Sequence, residues 1–266
     1  MLKSIANVLK KVRENTPLVQ CITNYVTIND CANILLCFGA SPAMCESKYE
    51  VEEFVNLISA LYINLGTLTA EQEEASIIAV KKAKELNKPV VLDPVACGAI
   101  SRKMDIARKL LQYGNISVIK GNIGEIKSLA GFSGKVRGVD SIDDGEDAIE
   151  ACISLANQYN TVVAATGKRD IITDGKRTCL IYNGTPILTL ITGAGCMVGA
   201  LTAATSICND RFTSTAASIL AMNLAGEMTQ NSMEKVLPGT FKVKLFDFIY
   251  NLTEDDILNG GKIECL

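Results

Sequence analysis

The feature of this sequence that most constrains its fold is a regular alternation of short apolar runs with longer amphipathic segments. The runs at 90–92 and 161–165 are rich in valine and alanine, as expected of strands that are buried on both faces. Between such runs, apolar residues recur at helical spacing, and Thr69 with Gln72 has the pattern of a capping box at a helix start. The alternation predicts an α/β fold of three layers, α/β/α, with a central, mostly parallel sheet.

The candidate elements succeed one another along the whole chain. Strands are predicted at 18–22, 61–65, 90–92, 116–119, 161–165, 170–174, 178–183 and 187–191. Helices are predicted at 5–12, 26–37, 69–86, 102–112, 123–130, 145–158, 195–208, 213–231 and 241–250. No linker rich in proline or serine divides the sequence, so residues 1–266 are predicted to form a single domain. The polar stretch 133–147 is expected to be a surface loop.

Composition narrows the possible functions. With 26 basic and 29 acidic residues the net charge is −3, which gives no cationic surface for a nucleic-acid partner. No run reaches ~18 uninterrupted apolar residues, so no membrane span is expected. The chain has no histidine, which excludes Ser-His-Asp triads, Cys-His dyads and HExxH zinc sites. Any general base must therefore be Asp, Glu, Cys, Lys or Tyr.

The ten cysteines show no CxxC spacing, so neither a zinc ribbon nor a thioredoxin-type redox motif is indicated. The first residues, Met1-Leu2-Lys3-Ser4, lack the apolar run of a signal peptide. We therefore expect reduced thiols in a cytoplasmic protein, most of them acting as small buried apolar side chains.

Polar residues or glycines follow several of the predicted strands. In open α/β sheets, ligands bind outside the carboxyl ends of the strands, which makes these positions the first candidates for a site: Asn24, Gly66, Asp93, Lys120 and Thr166. Asp93 is a candidate ligand of Mg²⁺ or of its bound water. An equally good interpretation is a turn or cap aspartate before Pro94.

Two further strand ends could contact a nucleotide. Lys120 could meet a phosphate as a point charge, and Asn122 and Glu125, three residues apart, would lie on one side of a helix. A plain capping box formed by Asn122 and Glu125 is the favoured alternative. The hydroxyl of Thr166 could bond a phosphate, and a simple turn at the end of a strand is the alternative there.

The strongest local signal is the loop Thr192-Gly193-Ala194-Gly195-Cys196, which precedes a helix rich in small residues. Free N–H groups and the dipole of a helix N-terminus favour a bound anion, although a tight turn into a packed helix is the alternative. The spacing is neither GxGxxG nor GxxxxGK[ST]. Cys196 falls in the first turn, where the dipole is expected to lower its pKa, so it is either a reactive thiol or one more structural cysteine.

The order of these motifs resembles the hydroxyethylthiazole kinases of the ribokinase-like superfamily. The resemblance covers nearly the whole chain and includes three further segments: Ile22-Thr23-Asn24-Tyr25-Val26, Gly39-Ala40-Ser41-Pro42-Ala43-Met44 and Asn64-Leu65-Gly66-Thr67-Leu68. It implies ATP-dependent phosphorylation of the hydroxyl of 4-methyl-5-(2-hydroxyethyl)thiazole in thiamine salvage. It also implies Mg²⁺ and a homotrimer with active sites at subunit interfaces.

The resemblance also assigns roles to individual residues. It implies thiazole contacts for Asn24, Met44, Gly66 and Gly193, and ATP contacts for Lys120 and Thr166. It implies that Asp93 and Glu125 organise Mg²⁺, and that Gly193, Ala194, Gly195 and Cys196 form an anion hole. Cys196 would stand where most ribokinase-like enzymes carry an aspartate base.

Two positions depart from the family pattern. Position 120 is usually arginine, and Lys120 keeps the charge without the bidentate geometry. The run after Asp93-Pro94-Val95 usually carries glycine, where this chain has Ala96-Cys97-Gly98. The alternatives are a kinase for another small alcohol, such as a hydroxymethylpyrimidine or a sugar, an ATP-dependent hydrate repair enzyme, and a catalytically silent binding or regulatory protein.

Overall fold

One mixed sheet organises the molecule. The computed structural model describes residues 1–132 and 146–266, and within them nine strands form a single sheet. The strands are β1 Leu18–Ile22, β2 Ser41–Ala43, β3 Ala60–Asn64, β4 Val90–Asp93, β5 Val118–Asn122, β6 Val162–Thr166, β7 Asp170–Thr173, β8 Thr178–Ile181 and β9 Ile263–Cys265. The expected surface loop at 133–147 lies, up to residue 145, outside the described residues.

The helices connect the strands and follow them. They are α1 Leu2–Asn15, α2 Ile28–Phe38, α3 Val51–Phe54, α4 Ala70–Glu85, α5 Ser101–Tyr113, α6 Ile123–Leu129, α7 Glu146–Tyr159, α8 Ala194–Thr205, α9 Arg211–Asn231, α10 Pro238–Asn251 and α11 Glu254–Gly260. A 3₁₀ helix, Pro186–Leu190, precedes α8.

The strand order is β2-β1-β3-β4-β5-β6-β7-β8-β9. Pairing is parallel from β2 through β6 and antiparallel from β6 through β9. The predicted mostly parallel sheet is therefore confirmed, and the antiparallel part is an extension at one edge. Because parallel strands share one direction, the carboxyl ends of β2, β1, β3, β4, β5 and β6 lie along one edge of the sheet.

Two apolar cores cover the two faces of the sheet. One contains buried residues of α1, α2, α8, α9 and α10, including Ile5, Ile34 and Phe241. The other contains buried residues of α3 through α7, including Ala79 and Leu110. Alternate residues of each strand enter opposite cores, which is the period-two geometry of a strand. The three-layer α/β/α prediction is confirmed.

Local sequence signals are confirmed where they are strong. Thr69 and Gln72 form a reciprocal capping box at the start of α4, with N–H···O distances of 3.1 Å in both directions. The predicted strands at 170–174 and 178–183 pair as an antiparallel hairpin, β7 with β8, and Gly175 adopts a φ of +87° in its turn. That value lies in the left-handed region, where glycine carries no Cβ penalty.

Two predicted strands were misplaced. The strand expected at 187–191 is wrong: the segment Pro186–Leu190 is a 3₁₀ helix whose N-cap Thr185 accepts the N–H of Ile187. Pro186 has no N–H for a sheet ladder and its fixed φ suits a helix start. The strand expected at 116–119 is Val118–Asn122 instead, which places Lys120 inside β5 rather than after it.

Four short elements were not predicted: β2, α3, α11 and β9. Three to seven residues carry too little periodicity to separate a helix or strand from a loop. Of these, β2 extends the carboxyl edge of the parallel strands to Met44.

Candidate active site

The carboxyl edge of the sheet brings most of the predicted site residues into one row. Along the strand order, the row is Met44 after β2, Asn24 after β1, Asn64 in β3, Asp93 in β4, Asn122 in β5 and Thr166 in β6. Adjacent strands lie ~4.8 Å apart, so Met44 and Thr166 are separated by roughly 24 Å. Asp93 lies between them. The residues assigned to thiazole and to nucleotide therefore occupy opposite ends of one edge, with Asp93 near its middle.

Asp93 accepts three side-chain hydrogen bonds near the middle of this row. It is 1% exposed, and its Oδ2 accepts from the Tyr62 hydroxyl at 3.1 Å, from Asn64 Nδ2 at 3.1 Å and from Lys120 Nζ at 3.2 Å. Among the described residues, Oδ1 of the same carboxylate is buried and has no hydrogen-bond partner. Buried oxygens without partners are costly, so Oδ1 is available for a ligand.

Lys120 lies underneath the glycine loop rather than on an open surface. Its side chain is 4% exposed, and its ammonium group pairs with Asp93 and donates to the Gly195 carbonyl at 2.9 Å. Burial alone would lower the pKa of Lys120, but the charges of Asp93, Cys196 and Glu125 raise it above its usual value. The group therefore stays charged and links strand β5 to the first turn of α8.

Cys196 lies in the first turn of α8 and points into the same cluster. Its Sγ accepts N–H groups from Asn24 Nδ2 and Asn64 Nδ2, each at 3.3 Å. Burial and the negative charge of Asp93 raise the pKa of this thiol, against the opposing effect of Lys120. The expectation of a lowered pKa at the helix N-terminus is therefore wrong: the pKa is raised, mainly by burial and then by Asp93.

Two asparagine side chains connect the thiol to the sheet. Asn24 Nδ2 donates to Asn64 Oδ1 at 2.9 Å, and the same oxygen accepts the Gly66 N–H at 2.9 Å. A Cβ at Gly66 would lie 2.6 Å from the Cβ of Asn24. The glycine at position 66 is therefore required for this close approach.

Sequence reasoning gave no role to Tyr62 or Asn64. Tyr62 is fully buried, and its hydroxyl receives the Asn64 amide at 2.9 Å while donating to Asp93. A polar side chain within the apolar run 61–65 was the available signal for Asn64. No comparable signal marked Tyr62, because tyrosine is an ordinary strand residue.

The glycine loop has the geometry of an anion site. Gly193 is the N-cap of α8 with a φ of +87°, and a Cβ there would lie 2.4 Å from Thr27 Cγ2. No side chain caps this helix. Because the first N–H groups of a helix have no intrahelical acceptor, those of Ala194, Gly195 and Cys196 are available to a bound anion.

Glu125 forms the capping box that was the favoured alternative. Asn122 Oδ1 accepts the Glu125 N–H, and Glu125 Oε2 accepts the Asn122 N–H, both at 2.8 Å. Its other oxygen, Oε1, accepts the Ala96 N–H at 2.8 Å. Burial and Asp93 raise the pKa of Glu125, while these N–H groups and Lys120 oppose the shift. The Glu125 carboxylate can thus cap α6 and also lie close enough to Asp93 to help hold a metal ion.

The carboxylates present suit a magnesium ion that is shared with phosphates. Mg²⁺ is typically held by one or two carboxylates together with water and substrate phosphates, rather than by an all-protein cage. Within residues 1–132 and 146–266, no cluster of three or more Cys, Asp or Glu side chains has the geometry of a complete metal site. The unpartnered Oδ1 of Asp93, near Glu125, fits the simpler arrangement.

The remaining predicted residues lie on either side of this centre. Met44 is half-buried and packs against the core that contains α8. Thr166 donates its hydroxyl to the Gly121 carbonyl at 3.3 Å, at the β6 end of the edge. Lys103 donates to the Gly66 carbonyl, which brings a second ammonium group to this edge.

Comparison with known proteins agrees with this architecture. The structure of a hydroxyethylthiazole kinase protein from Pyrococcus horikoshii OT3 has a TM-score of 0.90, is 38% identical and covers 98% of each chain. A ribokinase-like superfamily protein from Enterococcus faecalis V583 has a TM-score of 0.64 at 12% identity over 94% of this chain and 95% of that chain. The second similarity is one of fold alone. The protein is a three-layer α/β kinase of the ribokinase-like type.

Sequence comparison gives the family. The model of the hydroxyethylthiazole kinase family matches residues 9–255. The hydroxyethylthiazole kinase of Clostridium novyi (strain NT) is 60% identical over 265 residues, covering 99% of both proteins. Hydroxyethylthiazole kinase 2 of Clostridium botulinum (strain Loch Maree / Type A3) is 57% identical over 97% of this chain and 98% of that protein. The chain belongs to the hydroxyethylthiazole kinase family, and it uses ATP and a small-molecule substrate.

In the described part of the chain, no helix has the length and apolar character needed to cross a membrane.

The electrostatics of Cys196 can be tested by alkylation. Because Asp93 raises the pKa of this thiol, the Asp93→Asn variant should alkylate faster at Cys196 at neutral pH than the unchanged protein. The measurement is the iodoacetamide rate at the Cys196 peptide as a function of pH, by mass spectrometry. Cys208, a half-buried thiol outside the cluster, is the control and should keep its rate. An equal or slower rate at Cys196 in a folded variant would contradict the assignment.

The departure at position 96 has a measurable effect on stability. Ala96 adopts a φ of +60°, which costs a residue with a Cβ roughly 1–2 kcal/mol relative to an ordinary conformation. Glycine relieves this cost but loses more entropy on folding, so the two effects partly cancel. We expect Ala96→Gly to raise the free energy of unfolding by about 0.5–1 kcal/mol. Ala99→Gly, in the same loop without a positive φ, should instead lower it. Urea unfolding of both variants decides, and destabilisation by Ala96→Gly would refute strain at this position.

Proposed function

We propose that this kinase transfers the γ-phosphoryl group of ATP to the hydroxyl of 4-methyl-5-(2-hydroxyethyl)thiazole, a step of thiamine salvage. The observation that carries the proposal is the cluster at the centre of the carboxyl edge. There Cys196, at the end of the glycine loop, receives the amide N–H groups of Asn24 and Asn64 beside the free oxygen of Asp93. Family membership supports the same substrate.

The two substrates would bind from opposite ends of the edge. The thiazole would lie over Asn24, Met44, Gly66 and Gly193, where the methionine sulfur offers a polarizable contact to a flat heterocycle. ATP would extend from Thr166 towards the glycine loop. The γ-phosphoryl group and the thiazole hydroxyl would then meet next to Cys196. Phosphoryl transfer depends mainly on such positioning of the two reacting groups.

Charge development would be met by the glycine loop and the buried cation. In a loose transition state, negative charge spreads over the oxygens of the transferred group. The N–H groups of Ala194, Gly195 and Cys196 are directed from a fixed helix start, so they stabilise that charge without reorganisation. Lys120 holds the loop through the Gly195 carbonyl and contributes its positive field from below.

We propose Mg²⁺ as the metal, with Asp93 and Glu125 as the residues that would hold it directly or through water. When bound, the ion would neutralise phosphate charge and orient the phosphate groups. The Asp93 oxygen without a partner supports this role.

The substrate hydroxyl would give its proton late in the reaction to the thiolate form of Cys196, which would become the thiol. Because the pKa of Cys196 is raised, that thiolate is a minor form at neutral pH. A loose transition state needs little help from a base, so a small thiolate fraction is sufficient and a slow kinase is expected. Asp93 is the nearby rival for the proton.

We propose a homotrimer with active sites at subunit interfaces. Tyr25 and Val26 follow Asn24 directly and are 56% and 58% exposed, so apolar surface borders the thiazole end. Two surface clefts, of about 600 Å³ and 330 Å³, lie away from this edge and are lined by Arg13 and by Arg177, respectively. A partner subunit on Tyr25 and Val26 would enclose the thiazole. We further propose that residues 1–266 act as one domain in the cytoplasm, where ATP is available.

Substitution at position 196 tests the mechanism. General acid–base assistance is worth roughly 10²–10⁴-fold, and because this transition state needs little of it, Cys196→Ala should slow single-turnover phosphorylation by a factor near the lower end of that range with ATP still bound. Cys196→Asp restores a carboxylate and should remain active. The measurement is rapid-quench formation of the thiazole phosphate. An unchanged rate in Cys196→Ala would remove this thiol from the chemistry and leave the anion hole as the main effect.

The identity of the substrate can be tested by measuring phosphorylation rates for a panel of small alcohols. The thiazole alcohol should be phosphorylated in preference to a hydroxymethylpyrimidine and to sugars. Preference for another alcohol would reassign the substrate. Binding of the thiazole without ADP formation would indicate a silent binding protein instead.

A further inference from the structure

Two cysteines face each other across the antiparallel end of the sheet, away from the carboxyl edge. Cys179 in β8 and Cys265 in β9 are register partners. On one side of them, Leu266 N–H donates to the Thr178 carbonyl at 2.9 Å, and Thr178 N–H to the Leu266 carbonyl at 3.5 Å. Since hydrogen-bonded and non-hydrogen-bonded pairs alternate in an antiparallel ladder, the cysteine pair is a non-hydrogen-bonded one.

This type of pair has the spacing that a disulfide requires. Directly opposed residues in non-hydrogen-bonded pairs have Cα atoms about 4.5 Å apart, and disulfides need a separation of roughly 4.4–6.8 Å. The thiol of Cys265 lies close enough to Cys179 to raise the pKa of that residue, in addition to the effect of burial. The register of the pair therefore brings the two cysteines within the range of a disulfide.

The two thiols differ in their access to solvent. Cys265 is exposed, and its Sγ lies 3.2 Å from the Met1 sulfur. Cys179 is fully buried, and burial raises its pKa to about 12. An oxidant in solution therefore meets Cys265 first, and Cys179 is reached only through Cys265.

We infer that Cys179 and Cys265 form a peroxide-sensitive site that closes into a cross-strand disulfide. Peroxide takes two electrons from the Cys265 sulfur, which becomes a sulfenic acid as the O–O bond breaks and water leaves. The Cys179 sulfur then attacks the Cys265 sulfur, the S–S bond forms, and the hydroxyl leaves with the Cys179 proton as a second water. One peroxide and two thiols give one disulfide and two waters.

The bond would fix the end of the chain to the sheet. Strand β9 is a three-residue edge strand, and such short edges open easily. The covalent loop 179–265 encloses α8, which carries the glycine loop, together with α9 and α10. Closing a long loop restricts the unfolded chain and stabilises the folded one. We expect the oxidised protein to melt about 5–10 °C higher than the reduced protein.

The test treats the full-length protein with hydrogen peroxide and follows peptide masses and thermal unfolding. A linked 179/265 peptide about 2 Da lighter than the sum of its reduced parts is expected, with the higher melting temperature reversed by dithiothreitol. Cys265→Ser should abolish both. Cys208→Ser, which removes a half-buried thiol elsewhere, is the matched control and should retain both.

If the disulfide forms slowly, the sulfenic acid intermediate at Cys265 can be trapped instead. With Cys179→Ser, dimedone should capture a sulfenic acid at Cys265, because no thiol opposes it. The inference is overturned if Cys265 passes to the sulfinic acid in the unchanged protein without linkage, or if it links to another cysteine or another chain. Unchanged melting of a fully linked protein would refute the stabilising effect.

Discussion

The buried ion pair between Lys120 and Asp93 is the interaction on which the rest of the site depends. Their side chains are 4% and 2% exposed, so neither charge can be compensated by water if its partner is lost. Lys120 also holds the Gly195 carbonyl, and Asp93 also holds Tyr62 and Asn64. This ion pair thus connects the middle strands of the sheet to the first turn of α8, and it holds the glycine loop in position against the carboxyl edge of the sheet.

The neutral amides around Cys196 complete this arrangement. Asn24 and Asn64 place N–H groups on its sulfur, while Asp93 and Lys120 act on it with opposite charges. The thiol is therefore oriented without being strongly ionised. An imidazole is not required for this chemistry, because phosphoryl transfer relies on positioning and charge stabilisation more than on a strong base. The absence of histidine from the sequence is consistent with that mechanism.

Much of the fold followed from local patterns, because those patterns are local in physical origin. Strand β1 and the capping boxes at Thr69 and Asn122 arise from residues within a few positions of each other. The clustering of strand ends followed from the parallel sheet alone. The 3₁₀ helix at Pro186–Leu190 was missed because its apolar run resembles a buried strand.

The features that sequence could not give depend on contacts between distant segments. From sequence alone, Lys120 is a candidate phosphate ligand, and only the packing of α8 shows that it is buried. The hydrogen bond of the Tyr62 hydroxyl to Asp93 depends on the pairing of β3 with β4, which the sequence does not give. The direction of the Cys196 pKa shift depends on burial and on Asp93, neither of which the local helix start reveals. The strand pairing that opposes Cys179 and Cys265 is of the same kind.

The most direct test of the central claim is the single-turnover phosphorylation rate of the doubly substituted protein Asp93→Asn/Lys120→Met. This change removes both charges at nearly constant volume, so the fold should remain within about 1–2 kcal/mol of the original stability. The account predicts a loss of at least roughly 10²-fold in rate in a folded protein. A rate within about threefold of the unchanged enzyme would contradict the claim that this buried pair organises phosphoryl transfer.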